Sequence, residues 1–260
     1  MASVLALLAG IAAGMPTLQP AGKWVVDYRP DMCIAGRDFG TAPATTTFAL
    51  QPALDMDEDT ASLLVLTPER LFSGYREGTA TLTLQPSGEV RKLDYRSWVA
   101  PTGKQRVFKL ELDADFMKSL KRSTGLTLQT NAYAANFATG KMEAIARAMA
   151  VCNDSLLRSW NIDPTLKARL ADGIDPGKWF NDSMYPPNAK ALGAQGRVVI
   201  AVTVGPDGKP SACRVVISSK SNDLDRSSCS NTMARARYLP DRDTPNRYAI
   251  LAISWVLSAY

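Results

Sequence analysis

The 260-residue chain carries 30 basic and 25 acidic residues, a formal charge of +5, and contains no histidine. The missing histidine removes Ser-His-Asp and Cys-His catalysis, and every His-containing zinc site, in one step. No basic run is longer than that at Lys121-Arg122, which describes a solvated surface and not a nucleic-acid face.

The length suffices for two modest domains, each with its own core. The first 22 residues carry no charge, and residues 4–15 are apolar and rich in Ala and Leu. A membrane span needs about twenty apolar residues and a signal h-region about seven to fifteen, so residues 1–21 are predicted to be a signal peptide. Cleavage is expected between about Gly14 and Lys23, with an uncleaved membrane anchor as the alternative. Four cysteines, Cys33, Cys152, Cys213 and Cys229, are widely separated and form no Cys-x-x-Cys pair. In an exported chain they default to two disulfides, four buried free thiols being the alternative.

Residues 22–160 read as a β-rich domain of unknown function closed by a helix. Strands are predicted at 24–28, 45–50, 61–66, 80–84, 108–112 and 126–128, with Cys33 in a polar turn after the first. Asp113 and Asp115 start a short helix carrying Phe116 and Leu120, which Gly125 ends. Met142, Ile145, Met149, Cys152 and Leu156 recur at steps of three and four, so a helix over 142–158 buries Cys152 on its apolar stripe. Asp55, Asp57, Glu58 and Asp59 cluster in a loop but lack the glycine and distal Glu of an EF-hand, and read as solvated. No catalytic group has a base beside it, so no enzyme is expected, and neither metal nor cofactor.

Residues 161–177, with Asp163-Pro164, Gly173 and Asp175-Pro176-Gly177, read as a linker, within which 166–171 can form a helical turn or two. The domain over 178–260 then begins with Tyr185-Pro186-Pro187-Asn188-Ala189. A strand over 196–204 is reversed by Asp207-Gly208 into a second over 212–218. A helix from Leu224 stops near Pro240, and a last strand runs over 248–257. The fold class is α+β: a β-rich domain, then a small β-hairpin–helix–strand domain. With one pair of cysteines in each domain, the pairing selected is Cys33–Cys152 and Cys213–Cys229.

Tyr185, Pro186, Ala189, Gly196, Asp207, Gly208, Ser218, Ser219, Leu224, Asp225, Tyr238 and Pro240 stand at a spacing that resembles the C-terminal domain of the TonB family. Lys220 departs from it, standing where the family has glycine. The resemblance covers about a third of the chain. It implies a periplasmic protein, with inner-membrane attachment by an uncleaved N-terminus as the variant. It also implies that the last strand is a sheet edge to which an outer-membrane receptor segment adds, at Tyr248, Ile250, Ala252 and Ser254. Another periplasmic protein, or a second copy of the chain forming a homodimer, are the other candidate occupants, and an inner-membrane motor is the implied source of force. The long Pro- and Lys-rich spacer of TonB proteins proper is absent from the sequence. An exported structural or protein-interaction module using the fold without energy transduction is therefore the second reading.

Overall fold

The computed structural model describes residues 17–53, 60–68, 74–100, 104–164, 171, 173–175, 178–244 and 247–257. The apolar start at 4–15, the acidic loop at 55–59 and the expected helical turns at 166–170 lie outside the described residues. The chain divides into two compact units, one of residues 1–53 and 57–153, the other built on residues 154–260. The division falls within the helix Glu143–Ser159.

The first unit is a ten-stranded sheet. Its strands are β1 (Thr17–Leu18), β2 (Val25–Tyr28), β3 (Cys33–Phe39), β4 (Thr46–Pro52), β5 (Ala61–Pro68), β6 (Arg76–Gln85), β7 (Val90–Val99), β8 (Gln105–Leu112), β9 (Gly125–Gln129) and β10 (Ala134–Phe137), in the order β1-β10-β9-β6-β7-β8-β5-β4-β3-β2. Alternation builds them: on β6, Ala80, Leu82 and Leu84 are buried while Thr79, Thr81 and Thr83 face outward. The sheet is curled back on itself. β3 and β10 stand seven places apart, about 34 Å in a flat sheet at about 4.8 Å per strand. Yet Phe39 of β3 and Phe137 of β10 meet with ring centroids 5.3 Å apart, and Phe48 of β4 lies 5.5 Å from Phe137. The N-terminal segment ties the ends together: Leu18 pairs with Phe137, while the Gly40 amide donates to Gln19 and the Ala21 amide to Asp38. One short segment thus satisfies backbone groups on both sides of the curl.

Four strands were not expected from the sequence: β1, in the stretch expected to be a signal peptide, β3, β7 and β10. Cys33, expected in a turn, opens β3, where Cys33, Ala35 and Phe39 point inward. Gly36, Arg37 and Asp38 make that stretch look like a loop; here Asp38 accepts from the Thr47 hydroxyl on β4 at 2.5 Å. β7 alternates, but its inward positions include Ser97 and its outward ones Lys92, Asp94 and Arg96, which mutes the apolar signal. β10 is only four residues long. Helix α1 (Ala114–Arg122) is capped by Asp113, whose Oδ1 accepts from the Phe116 amide at 2.8 Å, and it buries Phe116, Met117 and Leu120 in the core of the sheet. Ser123 ends it; Gly125 instead begins β9, where a Cβ would lie 2.8 Å from Gln85 Oε1. Helix α2 (Glu143–Ser159) buries Met149, Cys152 and Leu156, and a disulfide joins Cys152 to Cys33.

The second unit holds α3 (Pro187–Ala191), β11 (Gly196–Val204), β12 (Pro210–Ile217), α4 (Asn222–Arg235) and β13 (Arg247–Trp255). Its antiparallel sheet has the order β12-β11-β13. Val198, Ile200, Val202 and Val204 of β11 join Ala249 and Trp255 of β13 and Leu224 of α4 in one core. The architecture is α+β throughout, with the hairpin, helix and strand in the expected order.

Candidate functional site

Several of the spaced residues of the last domain meet one another: Gly196 meets Ser219, Ser219 meets Asp225, and Gly208 meets Tyr238. The Tyr185 ring meets Trp255 edge-on at 5.3 Å and its hydroxyl donates to the Ala194 carbonyl, pinning the entry of the domain to the end of its last strand. Pro187 occupies the first position of α3, where a missing N–H costs nothing, and Ala189 is buried. Gly196 lies against the turn after β12: a Cβ there would sit 2.9 Å from the Ser219 carbonyl oxygen. Ser219 in turn donates from its amide (2.9 Å) and its hydroxyl (2.7 Å) to Asp225 Oδ1 in the first turn of α4. Lys220 has φ 72°, the left-handed region in which glycine is at ease, which explains why glycine is the family residue there.

In the hairpin turn, the Lys209 amide donates to Asp207 Oδ1 at 3.0 Å and holds that carboxyl below the ordinary carboxylate value. Gly208 has φ 76°, and its carbonyl accepts from the Tyr238 amide at 2.8 Å. A disulfide joins Cys213 of β12 to Cys229 of α4, with Cα atoms 5.7 Å apart. The buried side of α4 is made of Leu224, Ser228 and Thr232; Ser228 Oγ accepts from Trp255 Nε1 at 2.9 Å and donates to the Leu224 carbonyl. Such a small, polar stripe leaves no apolar period to detect.

Both outer strands of the three-stranded sheet are edges, and they differ in kind. β12 opens with Pro210, carries Arg214 at its middle, and slips register against β11 twice, leaving Ser211 and Val216 without a partner residue. Proline, charge and bulges are devices that blunt an edge against another strand. β13 has none of them. Its register with β11 runs unbroken from Arg247 to Trp255, and from Tyr248 onward it contains no charge, proline or glycine.

Tyr248, Ile250, Ala252 and Ser254 all lie on β13, with side chains on the sheet face opposite the core that holds Ala249 and Trp255. Their environments differ. Ile250 is fully buried, whereas Ala252 and Ser254 are exposed. The Tyr248 carbonyl points out of the sheet, since it accepts from the Ala171 amide at 2.8 Å. Backbone groups alternate along a strand, so those of Ile250, Ala252 and Ser254 point the same way. Among the described residues no hydrogen bond from beyond the sheet reaches them. Sequence reasoning missed Ala171, which meets this edge at Tyr248, and Gly173 and Ile174, which pair with Tyr238 and Arg237, because their stretch read only as linker; it also missed Trp179, which packs on Tyr238.

Residues 182–257 match the family model described as the Gram-negative bacterial TonB protein C-terminal. The segment is a TonB-like C-terminal domain, and the matched span includes α3, the hairpin, α4 and β13. No curated protein and no solved structure matches the chain. Among the described residues, no helix is long and apolar enough to cross a membrane, and no three His, Cys, Asp or Glu side chains are grouped to hold a metal ion.

Proposed function

We propose that this is a periplasmic TonB-like protein that binds partners by β-strand addition along Ile250, Ala252 and Ser254, the partner being an extended segment of an outer-membrane receptor. The observation that carries this reading is the contrast between the two sheet edges. β12 is blunted, while β13 presents an uncharged, unbroken edge in a domain of the family that works by protein contact. The chain is organised accordingly: a signal peptide that ends ahead of Thr17, because residues 17–21 belong to the sheet, then the β-rich domain up to residue 160, a linker at 161–177 and the partner-binding domain at 178–260. Engagement of an inner-membrane motor, with the N-terminus retained as an anchor, is the energy-coupled form of this function.

The test is a binding assay with receptor-derived peptides. Ile250→Pro removes an outward-facing donor and clashes with pairing, so it abolishes binding, whereas Lys209→Ala in the hairpin turn leaves it intact. Circular dichroism accompanies the assay, because proline can also unfold a small sheet. Full binding by a folded Ile250→Pro protein refutes the edge assignment. N-terminal sequencing with cell fractionation tests the location, and an intact Met1 in the cytoplasm refutes it.

A second reading, an exported interaction module that transmits no force, is favoured by one observation. A compact ten-stranded domain stands where a Pro- and Lys-rich spacer would lie. Loss of receptor-dependent uptake in a deletion strain supports the first reading; normal uptake supports the second.

A further inference from the structure

The outer face of β6, β7 and β8 holds a groove of about 510 Å³. Its floor is main chain, since Leu93 and Tyr95 turn inward: Leu93 packs on the core, and the buried Tyr95 donates its hydroxyl to Asn131 at 2.8 Å. The side chains that rise from it are polar, and their order works against the sheet. Arg96 stands directly opposite Lys109, and like charges in that position weaken an antiparallel pair. Among the described residues the other facing pair of charges, Glu77 and Arg96, has opposite signs. Two residues along each strand, in the same direction, the sign reverses to Asp94 on β7 and Glu111 on β8, which also line the groove. A cationic and an anionic row thus run side by side, about 7 Å apart. They are unequally neutralised. Lys109 Nζ lies 2.9 Å from Glu111 Oε1, and Arg96 Nε lies 3.8 Å from Glu77 Oε1. Asp94 accepts from the Thr79 hydroxyl at 3.3 Å, and among the described residues no cation lies on it.

We propose that this groove binds a short zwitterionic peptide of about two residues, its carboxylate between Arg96 and Lys109 and its ammonium on Asp94. Two extended residues span about 7 Å, the distance between the rows. A carboxylate set between Arg96 and Lys109 relieves their repulsion, and the guanidinium can present two N–H groups to it. The ammonium neutralises Asp94, with the Thr79 hydroxyl beside it. A merely solvated face would be more stable with Arg96 or Lys109 replaced by a neutral residue. The ligand is recognised by its two charged ends, because the floor beneath it is main chain. The site lies wholly in the first unit, so it does not depend on strand addition at β13, and it gives the β-rich domain a ligand of its own.

The experiment titrates the full chain with the dipeptide Ala-Ala and follows the amides of β6, β7 and β8 by NMR. Binding is expected at about millimolar concentration, as for two charged contacts on an open surface. Acetylating the amine or amidating the carboxylate weakens it about fivefold each, and blocking both ends about 25-fold. Tetra-alanine, whose termini stand about twice as far apart when extended, also binds about fivefold more weakly. Added salt weakens the free dipeptide and not the doubly blocked one. Asp94→Asn erases the preference for the free amine, and Arg96→Gln with Lys109→Gln that for the free carboxylate, each leaving the other preference in place. Lys118→Gln, which removes a charge on α1, changes neither. Amide spectra verify the fold of each variant, and the blocked peptides test the unaltered protein without any variant. Equal affinity for free and blocked Ala-Ala overturns the proposal, as does a preference for a free terminus that survives in the folded variants. Shifts confined to other strands, or none up to about 50 mM peptide, overturn it as well.

Discussion

The Gly208 carbonyl accepts the amide of Tyr238, and a side chain on Gly208 would collide with the carbonyl of that same tyrosine. Two features thirty residues apart in sequence, the hairpin turn and the aromatic after the helix, are therefore one contact. Gly208→Ala is penalised twice, by a left-handed φ of 76° and by the approach of Tyr238. The expected loss exceeds about 1–2 kcal/mol, the ordinary cost of the left-handed region alone. Urea unfolding followed through β11 amide exchange measures it. A loss below that cost would show that the turn can move away from Tyr238.

Lys220 offers the opposite change. It holds φ 72° with an ordinary side chain attached, and it is exposed to solvent. Lys220→Gly removes the strain of the left-handed conformation, offset by the greater freedom of glycine in the unfolded chain. The net expectation is a gain of about 0.5–1 kcal/mol. It should appear as a higher urea midpoint with an unchanged slope.

The Cys213–Cys229 bridge closes a short loop, a sequence separation of 16, between β12 and α4. In the chain-entropy model such a loop is worth about 3 kcal/mol, a large part of the roughly 5 kcal/mol expected for a small domain. Cys213→Ala should therefore lower the stability of the second unit by a similar amount, and leave Cys229 titratable by thiol reagents after denaturation. Exchange of β11 amides reports this directly, and exchange in β6 of the first unit should not change. Equal loss in both units would show that they unfold together.

Acid should loosen the hairpin end of the domain. The Lys209 amide holds Asp207 below the ordinary carboxylate value of 3.8, and hydrogen bonds from Thr244 and Asp243 do the same for Asp241. A depressed folded value means a contribution to stability that is fully present above the unfolded value and is lost as pH falls through the folded one. The window therefore lies below about pH 4. Asp207→Asn combined with Asp241→Asn should flatten the dependence of the melting temperature on pH there, while neutral-pH melting falls only slightly. An acid limb as steep as before would assign it to other carboxylates.

What the sequence by itself determined was local. Asp113 ahead of Phe116 places a helix start, Met149 and Cys152 on one stripe define an apolar face, and Asp207-Gly208 reverses a strand, because each depends on dihedral preference or period within a few residues. The spacing from Tyr185 to Pro240 also identified the last domain, several of whose spaced residues meet in the fold, as Gly196 meets Ser219 and Gly208 meets Tyr238. Only the tertiary structure decided the rest. The curl that brings Phe39 to Phe137 depends on pairing between distant strands, to which residues 17–21 contribute backbone groups and little side-chain signal. The inward face of β7 is partly polar, and the buried side of α4 is Leu-Ser-Thr, so neither has the apolar period that burial normally writes into a sequence. β13 was legible as a strand, but not that its Tyr248 carbonyl is taken within the chain. That contact is made by the main-chain amide of Ala171, and a backbone donor looks the same in every residue except proline.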